Sequence, residues 1–251
     1  MSLVIAAAQS ASLPGDIAGN LAHHLRFAIA AADHGVRLLV FPELSLSGYE
    51  LGIARENAVR PDDPRLDPLR RLAQQAQMTV VVGAPLLSEE QLHIGALVLR
   101  PDGSTLTYTK QHLHAGEEQA FVAGAGGPLV PVESALVALA ICADTTHPEY
   151  AASAAARGAN IYAAGVMITA NGYAADAALL ERYAREHRMA VLMANHSAPT
   201  GGWSPAGRSA IWSEDGRLVA ASSGTEEALI IAREQQGGTW KGEVFAASYP
   251  C

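Results

Sequence analysis

Ala135-Leu136-Val137-Ala138-Leu139-Ala140-Ile141-Cys142-Ala143-Asp144-Thr145-Thr146-His147-Pro148-Glu149 is the stretch on which the reading of the fold turns. Its unbroken apolar run reads as a strand. The short polar segment after it reads as a turn, and Pro148-Glu149 starts a helix, where proline is tolerated. A cysteine at such a strand-to-turn-to-helix junction is held rigidly at a sheet edge, and the N–H of the next residue, Ala143, is placed to help bind an oxyanion. Position alone also admits the plainer reading, a buried core thiol.

Working outward, short Leu-rich or β-branched runs alternate with longer amphipathic ones. Strands are predicted at residues 2–8, 36–41, 78–83, 95–99, 136–141, 160–163, 189–195, 209–212 and 229–232. Helices are predicted at 21–34 (Asn20 as N-cap, Gly35 past its end), 68–77 (Asp67 as N-cap), 148–157 (stopped by Gly158) and 175–187. Such alternation defines an α/β protein with helices layered on sheet. Pro101-Asp102-Gly103 and Glu214-Asp215-Gly216 each lie between two strand-like runs and read as hairpin turns. A purely parallel, doubly wound sheet has no use for them, so a mixed sheet or two packed sheets is expected. No long linker or repeat divides the chain, which predicts a single domain over 1–251.

The 251 residues are 49% hydrophobic and 17% charged, enough for one large buried core and too apolar for disorder. A net charge of −8 argues against nucleic-acid or anionic-membrane partners, which require clustered Lys and Arg. The start, Met1-Ser2-Leu3-Val4-Ile5-Ala6, has no basic flank and reads as a strand rather than a targeting segment. No apolar run reaches the roughly 18–20 residues of a membrane span. The two cysteines, Cys142 and Cys251, do not make a disulfide framework, so a reduced, cytoplasmic setting is expected.

Two further residues could share chemistry with Cys142. Glu43 follows Leu38-Leu39-Val40-Phe41-Pro42; the proline cannot continue a central strand, so the chain turns there and projects the carboxylate into a crevice. Lys110 closes a polar strand, Thr105-Leu106-Thr107-Tyr108-Thr109, ahead of Gln111-His112-Leu113-His114. Taken alone, each reads more readily as a surface or loop charge. His112, His114 and His147 invite a zinc reading, but His112 and His114 would face opposite ways on a strand, and no Cys-x-x-Cys or His-Glu-x-x-His is present. No metal or cofactor is expected.

Together these segments resemble the nitrilase superfamily, the carbon–nitrogen hydrolases, from residue 3 to about residue 232. Phe41-Pro42-Glu43-Leu44-Ser45-Leu46-Ser47-Gly48-Tyr49 resembles the family's first catalytic block and Tyr108-Thr109-Lys110-Gln111-His112-Leu113 its lysine block. Glu117, with Phe121 and Gly124, resembles the second-glutamate segment, and Ile141-Cys142-Ala143-Asp144 with Pro148-Glu149 the cysteine block. Arg157-Gly158-Ala159-Asn160-Ile161 and Gly207-Arg208-Ser209-Ala210-Ile211 are also similar to the family. The resemblance implies a four-layer α-β-β-α sandwich and a homodimer or larger homo-oligomer packed sandwich on sandwich. It also implies a site in which Cys142 is the nucleophile, Glu43 the general base and acid, and Lys110 the stabiliser of the tetrahedral species. Glu117 would orient Lys110 or substrate, with Glu118 as the rival for that place. An isochorismatase-like cysteine hydrolase is disfavoured by the hairpins and by the Phe-Pro-Glu block.

Nitrile-hydrolysing members usually carry Trp-Glu directly after the cysteine; Ala143-Asp144 instead resembles the amidase-like branches. The expected substrate is therefore a small-molecule amide or N-carbamoyl compound, with nitrile hydrolysis or a catalytically silent scaffold as the alternatives. Thr145-Thr146-His147 stands where carboxylate-recognising branches place an arginine, so a neutral substrate end, or another cation such as Arg208, is expected. Met167, in Gly165-Val166-Met167-Ile168, falls at a pocket-lining position and is a candidate substrate contact beside Ala143. No attached synthetase domain or membrane segment is expected. On this reading Lys110→Ala loses turnover with the fold intact.

Overall fold

In the computed structural model, which describes residues 2–246, Pro101-Asp102-Gly103 forms the hairpin turn joining β4 (Gln91–Leu99) to β5 (Thr105–Thr109). Gly103 takes a φ of +85° there, and the Asp102 side chain accepts from the Ser104 N–H at 3.0 Å. Glu214-Asp215-Gly216 likewise joins β10 (Ala210–Trp212) to β11 (Leu218–Ala221). Both turns sit at the antiparallel margins of two mixed sheets.

The first sheet has β1 (Val4–Gln9), β2 (Leu38–Val40) and β3 (Thr79–Ser88) in parallel at its centre. β12 (Ala228–Glu234) and β13 (Trp240–Ala246) flank β1, and β4 and β5 flank β3, giving the order β13-β12-β1-β2-β3-β4-β5. The second sheet has β7 (Ala135–Ile141), β8 (Ile161–Val166) and β9 (Ala190–Asn195) in parallel, in the order β11-β10-β9-β8-β7-β6, where β6 is Val130–Val132. The helices are α1 (Ile17–Asp33), α2 (Asp67–Gln75), α3 (Pro148–Ala156) and α4 (Tyr173–His187).

Strand alternation builds the layers. In β1 and the residue before it, Leu3, Ile5 and Ala7 join Val137, Leu139 and Ile141 of β7 in a core between the two sheets. Val4, Ala6 and Ala8 turn the other way, against Leu21, Phe27 and Ala31 of α1 and Leu69 of α2. Ala138 and Ala140 of β7 pack with Ala151 of α3 and Leu180 and Tyr183 of α4. Three apolar interfaces separate four layers, which is the α-β-β-α sandwich expected.

Several boundaries differ from the sequence reading. α1 starts earlier, capped by Asp16, whose carboxylate accepts from the Gly19 N–H. Asn20 is no cap: it is buried, and its amide bonds the backbone of Leu13 and Leu46. α2 begins at Asp67, with a tight turn over Pro64–Leu66 before it, so Asp67 is its first residue rather than its cap. β3 runs past residue 83 through Pro85, and β6 and β13 were not anticipated. Residues 111–116 form turns and coil rather than a strand: the His112 ring lies tilted against His147 at 3.6 Å between ring centres, and His114 meets Trp203 edge-on. Cys251 lies outside the described residues.

Candidate active site

Three strand ends deliver the side chains. β2 stops at Val40, and the last ladder bond runs from the Phe41 N–H to the Val81 carbonyl at 2.9 Å. Pro42 follows, then Glu43. This turn is packed at backbone distance from both sheets: a Cβ added to Gly83 would stand 2.3 Å from the Pro42 carbonyl oxygen, and one added to Gly165 of β8 would stand 2.7 Å from that of Phe41. Only glycine permits that approach. β5 ends at Thr109, and Lys110 is tied by its N–H to Ile94 and by its carbonyl to Gly124. β7 ends at Ile141, and Cys142 opens a single tight helical turn, Cys142–Thr146, with a φ of +43°. A β-substituted residue is held in that region only by its surroundings.

Lys110 reaches a fully buried position and donates to Glu43 Oε1 at 2.6 Å and to Glu117 Oε1 and Oε2 at 2.7 and 2.9 Å. Glu117 also accepts from the Tyr49 hydroxyl and, at 2.7 Å, from the His114 N–H. Glu118 is exposed and among the described residues accepts only from the local Gly116 N–H, so Glu117 is the glutamate that meets Lys110. Burial lowers the ammonium's affinity for its proton, but the carboxylates of Glu43 and Glu117 outweigh it, so Lys110 is held above the ordinary lysine range.

Glu43 is 1% exposed, its Oε2 has no hydrogen-bond partner, and the Cys142 thiol is among the groups acting on its carboxyl. Burial pushes Glu43 up to about 7, with Lys110 opposing and Glu117 adding to the rise. Burial, then the Glu43 charge, also push the Cys142 thiol up, against Lys110. The resting sulfur is thus a thiol, hydrogen-bonded to the Met167 carbonyl at 3.6 Å, beside a carboxyl poised near neutrality.

Two residues to which the sequence reading gave no such part hold this arrangement. Asp144, fully buried, accepts from the backbone N–H groups of Gln111, His112 and Ile141 at 3.0, 2.8 and 3.1 Å and from the Tyr108 hydroxyl at 2.8 Å. It pins the end of the lysine strand to the cysteine turn. His196, also fully buried, lies 2.7 Å from the Glu43 carbonyl through Nε2. A carbonyl only accepts, so that nitrogen carries the proton; burial lowers His196 to about 4, leaving it neutral. An aspartate two residues past the cysteine, inside its turn, is a signal available in the sequence; His196, distant in the chain, offers none.

Cys142 and Ala143 open onto a cavity of about 320 Å³ that also meets Tyr49, Met167, Asp176 and Trp203. That volume suits a small molecule. As the second residue of its turn, Ala143 has an N–H without an intrahelical acceptor. Arg208 is not part of this wall; it is exposed and lies 5.4 Å over the Tyr173 ring. Among the described residues no group of three or more His, Cys, Asp or Glu could hold a metal ion, and no helix is long and apolar enough to cross a membrane.

A buried carboxylate–ammonium–thiol site between two mixed sheets defines a class, and residues 4–239 match the carbon-nitrogen hydrolase pattern: the chain belongs to that family and is a carbon–nitrogen hydrolase. It is 32% identical over 228 residues, 87% of this chain and 78% of the relative, to the "Hydrolase in pqqF 5′ region" of Pseudomonas protegens. It is 31% identical over 185 residues to the (R)-stereoselective amidase of a Pseudomonas species, covering 73% of this chain and 63% of that one. Among solved structures it is similar to a glutamate-to-glutamine variant of the amidase from Nesterenkonia sp. AN1, showing covalent addition of the acetamide moiety of fluoroacetamide at the active-site cysteine. That likeness has a TM-score of 0.83 at 28% identity and covers 92% of this chain and 89% of the other.

Proposed function

We propose that the protein hydrolyses the carbon–nitrogen bond of a small amide or N-carbamoyl compound through a thioester on Cys142. The observation that carries this reading is the free Oε2 of Glu43, whose other oxygen is held at 2.6 Å by Lys110, beside a thiol that opens onto the cavity.

Glu43 Oε2 takes the thiol proton as Sγ bonds to the substrate carbonyl carbon. Lys110 and the Ala143 N–H stabilise the resulting oxyanion. Glu43 returns its proton to the nitrogen, the C–N bond breaks, and ammonia or an amine leaves an acyl group on sulfur. Water then attacks the thioester carbonyl and gives its proton to Glu43; the C–S bond breaks, and the proton returns to Sγ. Glu117 holds Lys110 in place throughout, and Met167 contacts the acyl portion. Ala143-Asp144 in the cysteine block and the amidases among its relatives favour an amide over a nitrile.

An ammonia-release screen over amides, N-carbamoyl compounds and nitriles, with Cys142→Ala alongside, tests the reading. Turnover of amide or carbamoyl substrates that vanishes in the variant supports it. Equal ammonia release by the two proteins sinks it.

A further inference from the structure

The charge around the cavity is one-sided. Among the described residues Asp176, in the first turn of α4, is the only carboxylate on its wall; no lysine or arginine lines it, and His114 is its one imidazole. The Asp176 carboxylate is half-buried, and no hydrogen bond or ion pair engages it among the described residues. Burial, with no cation to offset it, raises its carboxyl. Beneath the floor, Lys110 is shared by Glu43 and Glu117, so that cluster adds no net positive charge. Arg208, the cation considered for a carboxylate clamp, is engaged over Tyr173.

An aromatic ring stands ready at the same wall. Trp203 is 49% exposed although it lines the cavity. The turn that carries it is closed by reciprocal Thr200–Trp203 backbone bonds at 3.1 and 2.9 Å, and Glu50 accepts from the Gly201 N–H at 2.7 Å. The turn fixes where the indole leaves the backbone, and the His114 ring meets it edge-on at 6.4 Å between ring centres, so a cation in the cavity has an aromatic neighbour already placed.

We infer that the site selects amides whose acyl part carries a protonated amine, with Asp176 pairing the ammonium and Trp203 packing against it. This rests on the amide-hydrolase reading and adds its substrate class. A carboxylate-bearing substrate would meet repulsion here, whereas an ammonium supplies the charge the wall lacks. One ion pair in a water-exposed mouth is worth about fivefold in affinity.

The test uses straight-chain amides with a terminal ammonium, from glycinamide to aminohexanamide, each matched to a neutral amide of equal length. Wild type turns over at least one ammonium amide with a kcat/KM about fivefold or more above its neutral partner. Asp176→Asn lowers kcat/KM for the ammonium amide at least about fivefold more than for the neutral one, through KM. Calorimetry on Cys142→Ala with the same pairs reads the preference without turnover. Equal binding of charged and neutral partners, or an unchanged ratio in Asp176→Asn, overturns the inference. Failure of every amide to release ammonia sinks the amidase reading instead, and the calorimetric preference still decides the role of Asp176.

Discussion

Replacing Lys110 with methionine removes one charge from the least accessible ionic cluster among the described residues. Its ammonium is within 2.6 to 2.9 Å of three carboxylate oxygens and has no solvent exposure. The variant leaves Glu43 and Glu117 side by side, buried and uncompensated. Stranding a buried charge in this way costs about 3–5 kcal/mol, a large fraction of the roughly 5–15 kcal/mol that holds a domain folded. The burial of Lys110 therefore revises the expectation that its removal spares the fold. The cost depends on pH, because the two carboxyls can share a proton. Burial already raises Glu43 to about 7 with Lys110 opposing the rise, so without that cation the folded pair titrates higher still. A folded-state value above the unfolded one gives stability that is present in acid and is lost as pH rises through it. Urea unfolding followed by circular dichroism should show a deficit for Lys110→Met that is small near about pH 5 and grows toward about pH 8. Equal midpoints for variant and wild type at both pH values would refute the reasoning.

Glu43 must be ionised to accept the thiol proton, so kcat/KM for an amide rises with pH through an apparent value of about 7, and a profile falling over that range contradicts the assignment. Gly83→Ala drives a Cβ to 2.3 Å from the Pro42 carbonyl oxygen, backbone that cannot yield, and should cost at least about 2 kcal/mol in urea along with most of the turnover. Asp144→Ala strands four donors and should lose more than about 3 kcal/mol by the same measurement; a loss under about 1 kcal/mol would mean that the clamp is not structural.

What the sequence made legible was whatever local pattern encodes. Val137, Leu139 and Ile141 alternate with Ala138 and Ala140, so β7 and its abrupt polar end at Cys142-Ala143-Asp144 were plain, as were the two Asp-Gly turns. β13 was not: its Trp240-Lys241-Gly242-Glu243-Val244 reads as polar coil because it is a half-exposed edge whose pairing with β12 no local run reveals. Pro85 hid the second half of β3, since a proline normally argues against a strand. Asn20 resembles a cap because its side chain suits one, but it is spent on the Leu13 backbone and on the distant Leu46 carbonyl. In the site, the strand-end places of Glu43, Lys110 and Cys142 could be read from their flanks. The contact from His196 to Glu43 spans 153 positions and leaves no trace in spacing. The choice between Glu117 and Glu118 likewise depended on which side of one turn faces inward.

The central claim is that a substrate's acyl group passes through the Cys142 sulfur, and trapping it there is the most direct test. Wild-type protein turning over an amide is quenched in acid, digested and mapped by mass spectrometry. The account predicts an acyl group on the Cys142 peptide that builds up during turnover and is absent, with turnover, from Cys142→Ala. Sustained amide hydrolysis by Cys142→Ala at the wild-type rate, or an acyl group on another residue only, would contradict it.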